Sequence, residues 1–439
     1  MNTEETNIIE RINKKKLFIS LILFLLELVL FIIIKLNAFE SMDSSIVKSL
    51  QPDKTDIYEV PTLIKIVYYL NRIYIPYIII IIVNNFSNVY NTFILFNILS
   101  IICYISCILK FIFYKFIPTK EGTIYYCGEG WNLPSTEMMI SVFFYLALWN
   151  IIFFSKNNKN NYNSKDFIKY FKYIFLGAII IFNIINLFFL AKIGYYLFSH
   201  LVFSAILGVS LYLFIFEANI LKKKFNPKKF CLFINKKFEC YILFKIILLA
   251  ISFLPYILER NASNQTCEQC ISIEGSFFYK NKSPHVTYVD DTFTLMSVFF
   301  GHFFVTIGLK CELGFIFGND LQNFEQYHFG VNIDDLNIER EFKNNTGTII
   351  VTRETEWNNT SMTKSIIRLI VTFVLSIITF LPYIIIKRGH NDYDYSIFFL
   401  VKYFLSFALF SFGMTFIFKG IFRIMKLSNE ILGSILIDQ

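Results

Sequence analysis

Long apolar segments separated by basic linkers are the feature that most restricts how this chain can fold. A helix needs about 20 mostly apolar residues to cross ~30 Å of hydrocarbon. The ten segments that meet this requirement lie near residues 17–37, 64–83, 91–117, 137–154, 168–191, 195–217, 240–258, 292–311, 364–386 and 396–418. Hydrophobic residues make up 55% of the 439 positions and charged residues only 17%, which is typical of a membrane protein. We therefore predict an all-α, multi-pass transmembrane helical bundle.

The basic linkers divide the chain into two blocks of spans, a first block of six and a second of four. The predicted parts are a cytosolic N-terminal tail (1–16), the six-helix block (17–217), a basic cytosolic loop (218–239), additional transmembrane helices with polar loops (240–426) and a cytosolic tail (427–439). The first apolar segment follows a run of lysines and has no small-residue cleavage site. We interpret it as an uncleaved signal anchor.

Basic residues also predict the orientation of the spans, because lysine and arginine in short loops remain on the cytosolic side. The lysine clusters before the first span, after the fourth, after the sixth and after the last fall on one side if the spans alternate. The loops 118–136, 192–194 and 259–291 then face the lumen. This topology explains the excess of 41 basic over 33 acidic residues without a nucleic-acid partner.

Two polar loops carry further signals. The loop 259–291 contains glycosylation sequons at Asn261 and Asn264, as a lumenal loop can. The segment 312–363, which the same count places in the cytosol, also contains sequons, so its topology stays open. Cys267 and Cys270 have no second pair of ligands beside them, which favours a disulfide or free thiols over a metal site.

Two predicted lumenal helix ends carry groups suited to an anion. Lys110 lies near the end of the third span, and Lys115 and Lys120 follow it. The segment 134–137, Pro-Ser-Thr-Glu, precedes the fourth span, and its serine or threonine can cap that helix. The free N–H groups at such a helix start favour a phosphate group.

A third feature is a histidine at the lumenal end of the sixth span. His200 lies just inside this span, and Ser204 and Gly208 follow one and two turns along. At this spacing the three residues share one face of a helix.

These residues resemble the motifs of the type 2 lipid phosphatase (PAP2) superfamily. The first family motif is K-x6-R-P, and Lys110 to Pro118 has this spacing with Ile117 in place of the arginine. The third motif ends in H-x3-D-x3-G, and the segment 200–208 has this spacing with Ser204 in place of the aspartate.

The second motif favours one subfamily, the sphingosine-1-phosphate phosphatases, whose variant reads P-S-T-H. The segment 134–137 matches it with Glu137 in place of the histidine, and Ala191-Lys192 resembles the family's Ser-Arg pair two residues too far from the histidine. Members of this subfamily also carry further spans after a six-helix core. The segments 291–301 and 364–369 look like the matching late segments.

The resemblance implies a lipid phosphate phosphohydrolase of the endoplasmic reticulum membrane, with a lumenal site and a metal-free, cofactor-free reaction through a phosphohistidine. The positions that it assigns to catalysis are the nucleophile His200, the acid Glu137 and Ser204, which replaces the orienting aspartate. The positions that it assigns to substrate binding are Lys110, Lys192, Ser135 and Thr136.

Each of these residues also has an ordinary structural interpretation. His200 can simply hydrogen-bond a neighbour, and the lysines can extend to the membrane surface. Glu137 can form a capping box or act as a carboxylate that stabilises the helix N-terminus. The missing arginine, acid histidine and aspartate argue for weak or absent activity. Two functions stay open: a phosphohydrolase acting on sphingosine-1-phosphate or related long-chain-base phosphates, and a non-catalytic receptor, lipid-binding protein or transporter.

Overall fold

The structure is a computed structural model in which every regular element of the described residues is helical. It describes residues 3–35, 39–50, 70, 74–86, 89–113, 133–154, 165–193, 196–217, 238–259, 289–317, 362–382 and 395–427. The predicted all-α class is confirmed for these residues. The predictions for Lys115, Lys120, Pro118, the two loop cysteines, the sequons and nearly all of the basic loop fall outside them.

The helices of the N-terminal half carry all the predicted site residues. They are α1 (Thr3–Lys35), α2 (Glu40–Leu50), α3 (Tyr74–Phe86), α4 (Val89–Phe113), α5 (Thr136–Met139), α6 (Tyr145–Phe154), α7 (Lys165–Ile193) and α8 (Phe198–Tyr212). A π-helical turn, Ile140–Phe144, joins α5 to α6, and another, Leu213–Glu217, extends α8.

The helices of the C-terminal half follow the same pattern of long apolar elements. They are α9 (Phe238–Glu259), α10 (Val289–Gly301), α11 (Phe303–Phe317), α12 (Met362–Thr379), α13 (Tyr395–Phe412) and α14 (Phe418–Ile424). A third π-helical turn, Gly413–Ile417, joins α13 to α14.

Seven helical segments of the described residues are long and apolar enough to cross a membrane, which supports the predicted multi-pass protein. They are Asn91–Lys110, Thr136–Phe153, Tyr170–Lys192, Phe198–Ile215, Leu295–Glu312, Met362–Thr379 and Lys402–Ile424. Two other predicted spans correspond to shorter apolar helical segments, Phe18–Ile34 and Ile75–Phe86. The remaining predicted span, 240–258, corresponds to α9.

The chain divides into two compact units. The first consists of Met1–Tyr77, Asn97–Phe299 and Gly389–Val401, and the second of Ile78–Phe96, Phe300–Arg388 and Lys402–Gln439. All the predicted site residues belong to the first unit.

The interior of the first unit is built around the segment that joins α5 and α6. In the window Thr136–Phe153, 78% of the residues are buried, whereas only 22% are buried in the window Tyr170–Lys192 of α7. The exposed side chains of α7 are largely apolar, including Ile174 and Ile181. An apolar exposed face is what lipid tails require of a membrane helix.

The π-helical turn Ile140–Phe144 is held by two asparagines of α7. The Ser141 hydroxyl donates to Asn183 Oδ1 at 2.7 Å, and Asn183 Nδ2 donates to the Ser141 carbonyl oxygen at 3.2 Å. Asn186 Nδ2 donates to Ser141 Oγ at 3.0 Å. Such turns widen the helix locally and often occur near functional sites. Here the hydrogen bonds of the turn fix the position of α7 against the segment that joins α5 to α6.

The second unit has a polar interior, because the buried face of α12 consists of polar side chains. The buried residues are Ser365, Arg368, Thr372 and Ser376, while isoleucines on the opposite face are exposed. The Arg368 guanidinium donates to the Leu427 carbonyl oxygen and to Ser365 Oγ, both at 2.9 Å. These hydrogen bonds offset part of the cost of burying an ionised group inside the unit.

A second polar contact of this unit joins α11 to α14. The Glu312 carboxylate forms an ion pair with Arg423 and lies 3.9 Å from the Lys419 Nζ atom. The Glu312 and Lys419 side chains are 3% and 6% exposed. Removal of the carboxylate would leave uncompensated positive charge, which is strongly destabilising inside a protein.

Candidate functional site

The Pro-Ser-Thr-Glu segment forms a capped helix start, as the sequence predicts. Ser135 is the N-cap residue of α5, and its Oγ accepts a hydrogen bond from the Met138 N–H at 3.2 Å. Ser135 is fully buried, so this bond satisfies an N–H group that has no partner within the helix. The predicted capping role is therefore confirmed for Ser135.

A hydrogen bond joins this segment to the helix that carries the candidate nucleophile. The Ser135 N–H donates to Ser204 Oγ at 2.7 Å. The Ser204 hydroxyl in turn donates to the main-chain carbonyl oxygen of His200 at 2.7 Å. His200 is 2% exposed and lies in the first turn of α8. The second and third predicted motifs are thus brought together, although they are separated by 69 residues.

Lys110, which opens the first predicted motif, lies on α4 near the same place. The hydroxyl groups of Ser106 and Thr136 are 2.9 Å apart and share a hydrogen bond. Lys110 follows one turn later on the same face of α4 and is 2% exposed. The C-terminal end of α4 therefore lies beside the start of α5, with a cationic side chain buried near it.

Glu137 is held by a tyrosine that the sequence analysis missed. The Tyr196 hydroxyl donates to Glu137 Oε2, and both side chains are buried, at 1% and 8% exposure. Glu137 is the second residue of α5, whereas a reciprocal capping box requires the third. The capping-box interpretation is therefore wrong for Glu137. A stabilising effect of its charge at the helix start stays open.

Lys192 lies at the end of α7, next to the same region. The two residues before it, Leu190 and Ala191, pack in a buried cluster with Met138 and Tyr196. The Lys192 side chain itself is half-buried. All the predicted site residues accordingly lie at one end of the first unit, where the ends of α4 and α7 meet the starts of α5 and α8.

Gly208, the glycine of the third motif, permits close packing of α8 against the π-helical turn Ile140–Phe144. A Cβ atom on Gly208 would lie 3.0 Å from Val142 Cβ, inside normal contact distance. A side chain at position 208 therefore requires Val142, in the π-helical turn Ile140–Phe144, to move by a few tenths of an ångström. The motif spacing therefore has a packing reason at this position.

A second residue absent from the sequence predictions is Asp43 of α2. Its Oδ1 atom accepts from the Ser199 N–H at 2.8 Å, and its Oδ2 atom accepts from the Ser199 hydroxyl at 2.5 Å. Burial raises the pKa of the Asp43 carboxyl group above its ordinary value, and the two hydrogen bonds from Ser199 act in the opposite direction. The one signal in the sequence that could have pointed to Asp43 is that it lies in a short amphipathic segment.

The comparisons with known proteins leave the family open. No family model, curated protein or solved structure matches the chain. The function is therefore inferred from the site itself.

The site combines groups with complementary chemical abilities. It holds an imidazole, a carboxyl group hydrogen-bonded to a tyrosine, a buried lysine and two hydroxyl residues at a helix start. An imidazole can attack phosphorus, and a carboxylic acid can donate a proton to a leaving alkoxide. The lysine supplies positive charge, although without the two-point geometry that an arginine offers to a phosphate group.

Proposed function

We propose that the protein is a lipid phosphate phosphohydrolase acting on sphingosine-1-phosphate or related long-chain-base phosphates. In this proposal the chain is a member of the type 2 lipid phosphatases, with a six-helix core and about four further spans, and it resides in the endoplasmic reticulum membrane with its site facing the lumen. The observation that carries the proposal is the Ser135–Ser204 hydrogen bond, which joins two motifs far apart in the sequence.

The proposed reaction has two steps. The His200 imidazole attacks phosphorus, the bond from phosphorus to the lipid oxygen breaks, and protonated Glu137 donates its proton to that oxygen. Water then attacks the phosphohistidine, the phosphorus–nitrogen bond breaks, and Glu137 accepts the proton from water. The net change is hydrolysis of one phosphate ester to an alcohol and inorganic phosphate.

The binding residues have distinct roles in this proposal. Lys110 and Lys192 provide positive charge toward the phosphate oxygens. Ser135 and Thr136 offer hydroxyl groups at the start of α5, and Ser106 shares a hydrogen bond with the Thr136 hydroxyl. Tyr196 keeps the Glu137 carboxyl group in a single position.

The test is phosphate release from sphingosine-1-phosphate by the purified full-length protein in phosphatidylcholine vesicles. The matched control is the other buried histidine of the described residues, His302, which packs against the Phe96 ring in the second unit. We expect His200→Ala to reduce release to background and His302→Ala to retain it. Equal rates for His200→Ala and the wild type would overturn the proposal.

A second candidate function is lipid-phosphate binding without turnover. It is favoured by the hydrogen bonds of Ser204, which join main-chain atoms of Ser135 and His200 at the position where the family has an orienting aspartate. In this case sphingosine-1-phosphate still binds to the His200→Ala protein in vesicles, above its partitioning into protein-free vesicles. The wild type then releases no phosphate.

A further inference from the structure

The helix that carries His200 begins without a cap of its own. Leu197 is the N-cap residue of α8, and its apolar side chain makes no capping hydrogen bond. The N–H groups of the first turn of a helix need acceptors from elsewhere, particularly when they are buried. At this helix the acceptor comes from α2.

The acceptor is the Asp43 carboxylate, which binds Ser199 at two points. One oxygen accepts from the Ser199 N–H at 2.8 Å and the other from the Ser199 hydroxyl at 2.5 Å. Asp43 is 2% exposed, so both bonds lie away from bulk water. Hydrogen bonds to an ionised acceptor are about twice as strong as neutral ones, and a negative charge at a helix start also interacts favourably with the helix dipole.

A two-point contact restricts rotation as well as translation of the helix start. Ser199 directly precedes His200, and one turn later Ser204 is bound by the main chain of Ser135. The first two turns of α8 are therefore held from two sides, by α2 and by the start of α5. Both contacts act on the main chain at or beside His200.

We infer that Asp43 is a positioning residue for His200. It supplies from another helix the orientation that the aspartate of the third motif would supply from one turn along the same helix. This inference rests on the proposed function. Asp43 acts on the main chain and hydroxyl of the preceding residue, so it sets the direction of the nucleophile without touching the substrate.

A positioning role and a purely structural role predict different kinetics. A misplaced nucleophile lowers kcat while leaving substrate binding nearly intact, because displacements of about 1 Å can cost about 100-fold in rate. A purely structural loss instead lowers the amount of folded protein without changing kcat per folded molecule. The two roles therefore separate when rates are normalised to folded protein.

The experiment measures phosphate release from sphingosine-1-phosphate by the full-length protein in phosphatidylcholine vesicles. The variants are Asp43→Ala, Ser199→Ala and the double variant. The control is Ser45→Ala, because Ser45 is exposed on the same helix and its hydroxyl binds only the Ser41 carbonyl oxygen within that helix. Folded protein is quantified by circular dichroism and by its thermal midpoint.

We expect Asp43→Ala to lower kcat by about 10- to 100-fold with KM within about threefold of the wild type. Ser199→Ala should lower kcat less, because it removes only the hydroxyl bond. The double variant should match Asp43→Ala, since both substitutions remove the same contact. Ser45→Ala should retain the wild-type kcat.

The results separate this inference from the proposed function. If the wild type and His200→Ala release phosphate equally, the proposed function is overturned and the inference falls with it. If His200→Ala is inactive but Asp43→Ala keeps the wild-type kcat, only the inference is overturned. Multiplicative losses in the double variant also overturn it. Should Asp43→Ala fail to fold, an unchanged kcat in Ser199→Ala decides against the inference, and a lowered kcat supports it.

Discussion

Replacement of Ser204 by alanine tests the contact on which the site depends. The substitution removes the acceptor of the Ser135 N–H, a group that is fully buried. A buried donor left without a partner costs about 1–3 kcal/mol. The other bond adds little, because the His200 carbonyl oxygen keeps its place in the helical hydrogen-bond ladder. We therefore expect Ser204→Ala to lower the free energy of unfolding by about 1–3 kcal/mol.

The matched control is Ser406→Ala in α13. Ser406 is also fully buried, but its hydroxyl donates only to the Lys402 carbonyl oxygen at 2.9 Å, so its loss leaves no donor without an acceptor. Its expected cost is about 0.5 kcal/mol or less. Both variants are measured by reversible unfolding in mixed detergent micelles, followed by circular dichroism. Equal stability of the two variants would refute the Ser135–Ser204 contact.

Three further predictions concern packing, charge and pH. Gly208→Ala should destabilise the protein, because the new Cβ atom would lie 3.0 Å from Val142 Cβ. Its control, Gly177→Ala, should stabilise the protein, because the new Cβ atom meets nothing within 4 Å. A higher thermal midpoint for Gly208→Ala than for Gly177→Ala would contradict this packing. Glu312→Ala should lower the unfolding free energy by about 3–5 kcal/mol, because it leaves the buried Lys419 and the partly buried Arg423 without their carboxylate. A loss below about 1 kcal/mol in chemical unfolding would contradict the ion pair. Because burial raises the pKa of the Asp43 carboxyl group above 3.8, ionising it costs more in the folded than in the unfolded protein, so the unfolding free energy falls as pH rises from 3.8 through the raised pKa. Asp43→Asn should flatten the unfolding free energy against pH in that window, and an unchanged profile would contradict the raised pKa.

The parts of the site that the sequence predicted are those encoded by neighbouring residues. Ser135 caps a helix because a serine stands directly before an apolar run, a local pattern. His200, Ser204 and Gly208 lie on one face because the helical repeat places them there. These predictions needed only the period of a helix and the preferences of its ends.

The parts that the sequence did not predict are contacts between distant segments. Tyr196 binds Glu137 across 59 residues, and Asp43 binds Ser199 across 156. Nothing in the local sequence of Asp43 distinguishes it from any other acidic residue of an amphipathic helix. The polar interior of the second unit was missed for the same reason, since the partners of Arg368 and Glu312 lie on other helices.

The sequence by itself determined that the described chain is helical and suited to a membrane, because every backbone polar group in a bilayer must be satisfied within its own segment. Apolar length is a local quantity, and it predicted the principal spans. Only the tertiary structure decided which polar side chains meet. In lipid the apolar surface does not select one helix pairing over another, whereas hydrogen bonds such as Ser135–Ser204 and Asp43–Ser199 exist only when particular helix ends come together.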